Sequence, residues 1–127
     1  MIKIRKVKEE KFFEMHVTSK VTFKDVREAW DKIENFKKDH GSISAVIYFE
    51  DFQGLEPRAV LEDFNRAMDN HDGIKAVAFV ADEKVFEIAT KTLAPLFKLN
   101  VKHFSTDQLE DARSWVKSQS KQKKSAA

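Results

Sequence analysis

Ala45-Val46-Ile47-Tyr48-Phe49, closed by Glu50-Asp51, and Ala76-Val77-Ala78-Phe79-Val80-Ala81, closed by Asp82, are the two stretches that decide the fold. Neither alternates apolar with polar residues, so each reads as a strand covered on both faces, the pattern of parallel strands flanked by helices. The residues after each run fit that pattern. Beyond the first, Asp51 to Glu56 with Gly54 reads as a loop and Pro57 suits the first turn of a helix. Val60, Leu61, Phe64, Ala67, Met68 and His71 then supply an apolar stripe before Gly73 stops it. Beyond the second, Val85, Phe86, Ile88, Ala89, Thr92 and Leu93 carry another helix until Pro95 breaks it.

Upstream, Ile2, Ile4 and Val7 nearly alternate with Lys3, Arg5, Lys6 and Lys8, and Phe13, Met15 and Val17 alternate with Glu14 and His16. These are two half-buried strands, joined as a hairpin through Glu9 and Glu10. Thr22 with Asp25 makes a capping box ahead of Val26, Ala29, Trp30, Ile33 and Lys37, a helix that ends near Gly41. Downstream, Leu99 to Phe104 reads as a last strand, and Ser105 with Gln108 as a second capping box before Leu109, Ala112, Trp115 and Val116. The order ββαβαβαβα predicts an α/β fold with about five strands in a mixed, mostly parallel sheet, an antiparallel N-terminal edge strand and about four helices. Residues 1–117 read as one domain and 118–127 as a flexible Lys-rich tail, since Ser, Gln, Lys and Ala without periodicity cannot build a buried face.

With 127 residues, 42% hydrophobic and 35% charged, the chain can bury one core without disulfide or metal staples. Eleven Phe against one Tyr put most aromatic area into side chains that lack a polar handle, which suits core filling. The absence of cysteine removes thiol nucleophiles, disulfides and the usual structural zinc sites, and fits a cytoplasmic setting. No apolar run approaches the roughly 20 residues that span a bilayer. Met1 to Glu10 also lacks the apolar region of a signal peptide, so the expectation is a chain neither membrane-spanning nor secreted. The net charge of +2 resides in the tail, where Lys117, Lys121, Lys123 and Lys124 meet no acid, which leaves residues 1–116 at −2. A folded body without basic excess lacks the electrostatic footprint of a nucleic-acid binder.

Four blocks then occur in order: Val46-Ile47-Tyr48-Phe49-Glu50-Asp51-Phe52-Gln53-Gly54, Leu93-Ala94-Pro95-Leu96-Phe97, Val101-Lys102-His103-Phe104, and Leu109-Glu110-Asp111-Ala112-Arg113-Ser114-Trp115-Val116. Together they resemble the SpoIIAA-like family of small bacterial proteins. The resemblance implies a STAS-like fold, related to the anti-sigma factor antagonists and more distantly to lipid-carrying CRAL-TRIO domains. In the STAS group it further implies a switch, in which a Ser or Thr at the start of the helix after the central strand is phosphorylated and a partner kinase or anti-sigma factor is released. This chain departs from that pattern, because no Ser or Thr lies between Ser44 and Thr90. Without a hydroxyl there, the added charge that drives such a switch has nowhere to attach.

Ligands and partners of open α/β sheets meet the loops at the carboxyl ends of the parallel strands. Here these are Asp51, Phe52, Gln53, Leu55, Glu56 and Arg58 after the first central strand, and Asp82 and Lys84 after the second. As a recognition edge, they would offer Phe52 and Leu55 as partly exposed apolar contacts; the plainer reading is that Asp51 and Asp82 cap adjoining elements. Glu50-Asp51 and Asp82-Glu83 have no His, Ser or Lys at a diagnostic offset, so no hydrolase site is expected. His16, His40, His71 and His103 form no i,i+4 pair, and Gly41, Gly54 and Gly73 make no phosphate loop, so neither metal nor cofactor is expected. Phe86, Leu93, Leu96 and Phe97 exceed what a one-sided helix needs. They either pack on the sheet or a second subunit, or line a groove for a lipid or other apolar ligand. The sequence thus predicts a non-catalytic interaction module for an unidentified protein partner, without the Ser/Thr phospho-switch. The alternative is a small carrier of an apolar ligand, and a homo-oligomer is compatible with either.

Overall fold

The computed structural model describes residues 1–6, 12–92 and 100–126. In chain order these form β1 (Ile2–Lys6), β2 (Phe12–Val21), α1 (Phe23–His40), β3 (Ile43–Leu55), α2 (Pro57–Asn70), a 3-10 turn at His71–Gly73, β4 (Ile74–Val80), α3 (Glu83–Thr92), β5 (Asn100–Phe104) and α4 (Leu109–Ala126). The five strands lie side by side in sequence order, β1 antiparallel to β2 and every later pair parallel. That is the expected mixed, mostly parallel sheet with an antiparallel N-terminal edge. Residues 7–11, where the hairpin through Glu9 and Glu10 is expected, and residues 93–99 fall outside the described residues.

Strand parity sorts the core into two layers. Phe13, Met15, Val17, Ala45, Val77 and Phe79 face α1, whose buried stripe is Val26, Ala29, Trp30, Ile33 and Phe36. Phe12, Val46, Ala78, Val80 and Phe104 face the opposite way, against Ala112 and Val116 of α4. The α1 termini are as the sequence predicts. Thr22 Oγ1 accepts the Asp25 N–H at 3.1 Å while Asp25 Oδ2 accepts the Thr22 N–H at 3.0 Å, and Gly41, at φ 80°, ends the helix with its N–H on Lys37 O.

Four expectations need correction. Glu14 is not on a wet face: α4 covers that side of β2 and leaves the Glu14 side chain 2% exposed. Asp51 to Leu55 is not a loop but the bulged end of β3, paired with Ser19–Val21 of β2. Between Glu50 and Gly54 the register slips twice, so that Asp51 and Gln53 have no partner opposite; Asp51 takes φ 53°, a left-handed conformation that Asp tolerates well. Bulge residues and loop residues share the same small polar chemistry, which is why local reading confuses them. Leu61 does not join the apolar stripe of α2 and is 63% exposed. Only half of the Ser105–Gln108 box forms: Ser105 N–H donates to Gln108 Oε1 at 3.0 Å, but Gln108 N–H bonds the Ser105 carbonyl at 2.9 Å instead of its hydroxyl, and α4 begins after Gln108, whose carbonyl accepts the Ala112 N–H. α4 then runs through the Lys-rich stretch to Ala126.

Ser44, on the α4 side of β3, is buried with its Oγ unpartnered among the described residues. A buried hydroxyl without a hydrogen bond costs stability, so Ser44→Ala is expected to raise the unfolding free energy by about 1 kcal/mol. A urea titration showing a lower midpoint at unchanged slope would contradict this.

Candidate functional site

The residues expected at the strand ends have distinct fates. Glu56 Oε1 accepts the Phe23 N–H at 2.8 Å, so it caps α1 across the chain. Asp82 Oδ1 accepts the Val85 N–H at 2.8 Å and caps α3. Phe52 and Leu55 are half-buried and pack against the core, Phe52 edge-on to Phe49 at 5.3 Å. Asp51, Gln53, Lys84 and Arg58 are exposed, and the Arg58 guanidinium lies over the Phe23 ring at 4.4 Å. Of the four expected pocket residues, Leu93, Leu96 and Phe97 lie outside the described residues. Phe86 stacks on His103 at 4.2 Å and meets Phe79 edge-on. The Ala81 carbonyl accepts from His103 Nε2 at 2.6 Å, which assigns the ring proton to that nitrogen.

Between α1, α2 and the sheet lies a cavity of about 90 Å³, partly open to solvent. Its described lining is apolar, with Phe13, Ile33, Ile47, Phe49 and Phe79 among it, apart from two groups. One is the indole of Trp30 and the other is Asp63, and the Trp30 Nε1–H donates to Asp63 Oδ1 at 2.7 Å. Loss of water pushes the Asp63 carboxyl up to about 6 and the neighbouring Glu62 charge adds to this, while the Trp30 hydrogen bond opposes it. Sequence reading missed this pair, yet a signal existed. Asp63 is four residues from Ala59 and from Ala67, so it interrupts the stripe by which α2 turns inward, and a buried Trp N–H needs an acceptor.

On the other sheet face, Glu14 receives Arg113 Nε at 2.5 Å and Nη2 at 3.0 Å, with Arg5 at 3.2 Å and His16 at 3.6 Å. Burial drives the Glu14 carboxyl up, but the Arg113 hydrogen bonds and charge, with Arg5 and His16, drive it below its ordinary value. A second cluster ties α1 to α2: Arg66 donates to Glu34, Asp31 and Glu62, and Asn70 Nδ2 donates to Glu34 at 2.8 Å. Hydrogen bonds to these acids hold Arg66 charged well above the ordinary range, against the opposing pull of burial. Among the described residues no cluster of three or more His, Asp or Glu side chains could hold a metal ion, and no helix is long and apolar enough to cross a membrane.

Sheet order, crossovers and helical layers together define an open α/β domain of the STAS type. More narrowly, residues 12–117 match the SpoIIAA-like family, and the chain belongs to it. An uncharacterised protein with a SpoIIAA-like fold from Shewanella loihica superposes with a TM-score of 0.72 at 22% identity, covering 91% of this chain and 92% of that one. The anti-sigma factor antagonist SpoIIAA in its unphosphorylated form superposes with a TM-score of 0.60 at 10% identity, over 87% of this chain and 96% of that one. The Bacillus cell fate determinant SpoIIAA in its phosphorylated form gives 0.56 at 10% identity, over 87% and 97%. At these identities the likeness is one of fold. A search of curated proteins returns no match.

Proposed function

We propose that this chain is a non-catalytic interaction module of the cytoplasm, binding a protein partner through the outer face of α2 without a Ser/Thr phospho-switch. The observation that carries the reading is the exposure of Arg58, Leu61 and Asn65, spaced i, i+3, i+7 on one side of α2 beside the β3 bulge. A leucine 63% exposed one helical turn from an exposed Arg makes a mixed apolar and cationic surface, and Arg is enriched where partners meet. Membership of a family that takes its name from an anti-sigma factor antagonist supports a protein partner, and Pro57-Arg58 opens α2 with no hydroxyl to phosphorylate. Arg58→Glu combined with Leu61→Asp is expected to abolish retention of the partner in affinity capture while the melting temperature moves by less than a few degrees. Recovery of the same partner by the double variant would refute the surface.

A second reading, a small carrier of an apolar ligand, is favoured by the cavity between α1, α2 and the sheet. Its described lining comes from α1, α2 and the sheet and does not include Phe86, while Leu93, Leu96 and Phe97 lie outside the described residues. Mass spectrometry under non-denaturing conditions, with a denatured control, tests it through a reproducible small-molecule mass on the native protein.

A further inference from the structure

Resting on the carrier reading, we propose that the cavity takes a short aliphatic primary amine, its chain against Ile33, Phe49 and Phe79 and its ammonium on Asp63 Oδ2. Four observations lead there. Trp30 Nε1–H occupies Oδ1, and no described residue donates to Oδ2, so the carboxylate holds an acceptor in reserve beside an apolar space. Asp63 is half-buried and keeps Oδ2 open, and a carboxylate against apolar side chains gains from a donor that enters with a ligand. The neighbouring charge that acts on Asp63 is negative, and Arg66, three residues on, is committed to Glu62, Glu34 and Asp31. Glu62 stands beside Asp63 on α2, while the α1 lining (Val26, Ala29, Trp30, Ile33) and the described strand residues bring no charge. An anionic ligand such as a fatty acid would therefore meet repulsion, a neutral alcohol would gain a hydrogen bond, and an ammonium would gain a charge-assisted one of roughly twice the strength. Lastly, about 90 Å³ is smaller than the roughly 150 Å³ apolar cavities that admit benzene, which restricts the occupant to a slim chain of about four carbons.

The test titrates the full chain at pH 8 with n-butylamine, n-butanol and butyrate. The readout is the indole N–H resonance of Trp30, with that of Trp115, on the α4 side of the sheet against Phe104, as internal reference. Butylamine is expected to shift Trp30 saturably and to bind at least about ten-fold more tightly than butanol, with butyrate inert and Trp115 unmoved. Asp63→Asn, which keeps an acceptor for Trp30, is expected to erase the amine's advantage while butanol binding survives. Saturable butanol binding with no preference for the amine, or an amine preference that survives Asp63→Asn, overturns the ammonium assignment but leaves a carrier of apolar molecules. No saturable shift with any probe overturns both.

Discussion

Arg113→Ala is expected to remove about 3 kcal/mol of folding stability at pH 7, more than any exposed charge substitution in this chain. The reason is the group that the substitution leaves behind. Glu14 has a side chain 2% exposed beneath α4, and its bidentate contact with Arg113 is the strongest of its interactions. Without Arg113, Glu14 keeps Arg5 and His16, which are 67% and 41% exposed and screened by solvent. The direction of the Glu14 shift sets the pH dependence. Its folded value lies below the ordinary 4.5, so the pair's stabilisation is complete above that pH and is lost as pH falls through the folded value. Burial is unopposed by Arg113 in the variant, which raises the Glu14 carboxyl and makes protonation relieve the defect. The gap between wild type and Arg113→Ala should therefore narrow as urea titrations are moved from pH 7 towards pH 4. Replacing both partners, as in Glu14→Gln with Arg113→Met, should recover most of the loss, because no buried charge is then left alone. Equal and small losses, below about 0.5 kcal/mol at both pH values, would mean that the pair behaves as a surface ion pair.

Asp63→Asn is expected to act in the opposite sense and stabilise the protein by up to about 3 kcal/mol at pH 7, from a carboxyl raised from 3.8 to about 6 at about 1.4 kcal/mol per pH unit. A raised carboxyl binds its proton more tightly in the folded state. Wild-type stability attributable to Asp63 is thus full below about pH 4 and falls as pH rises to about 6, after which the penalty stays constant. The amide retains an oxygen for the Trp30 N–H and removes the charge, so the variant should lose this part of the pH dependence. Stability profiles of both proteins between pH 4 and 8 check it, and parallel curves would show that the carboxylate is well solvated. A residue that lowers stability inside an otherwise apolar cavity is what a binding site looks like energetically.

How much of the fold and site is legible in the sequence depends on the range of the interaction. The uninterrupted apolar runs of β3 and β4 required cover on both faces, and the Thr22–Asp25 box and Pro57 marked helix starts that the structure keeps. Those signals are local, carried by side-chain period and by hydrogen bonds between residues three or four apart. The Asp51–Leu55 stretch is misread as a loop because its left-handed Asp51 and its Gly54 at φ 111° serve bulge and loop alike, and only the presence of Ser19–Val21 alongside makes it a strand.

The charged residues divide the same way. The sequence by itself determined the element order, the sheet's parallel centre, the family resemblance and the absence of a Ser or Thr between Ser44 and Thr90. Tertiary structure alone decided that Glu14 meets Arg113 from 99 positions away, that Trp30 meets Asp63 from 33, and that the first of these contacts buries a charge which local alternation assigns to water. Burial is a property of which element arrives on the second face of a strand or helix, and no local pattern within β2 or α2 specifies that arrival.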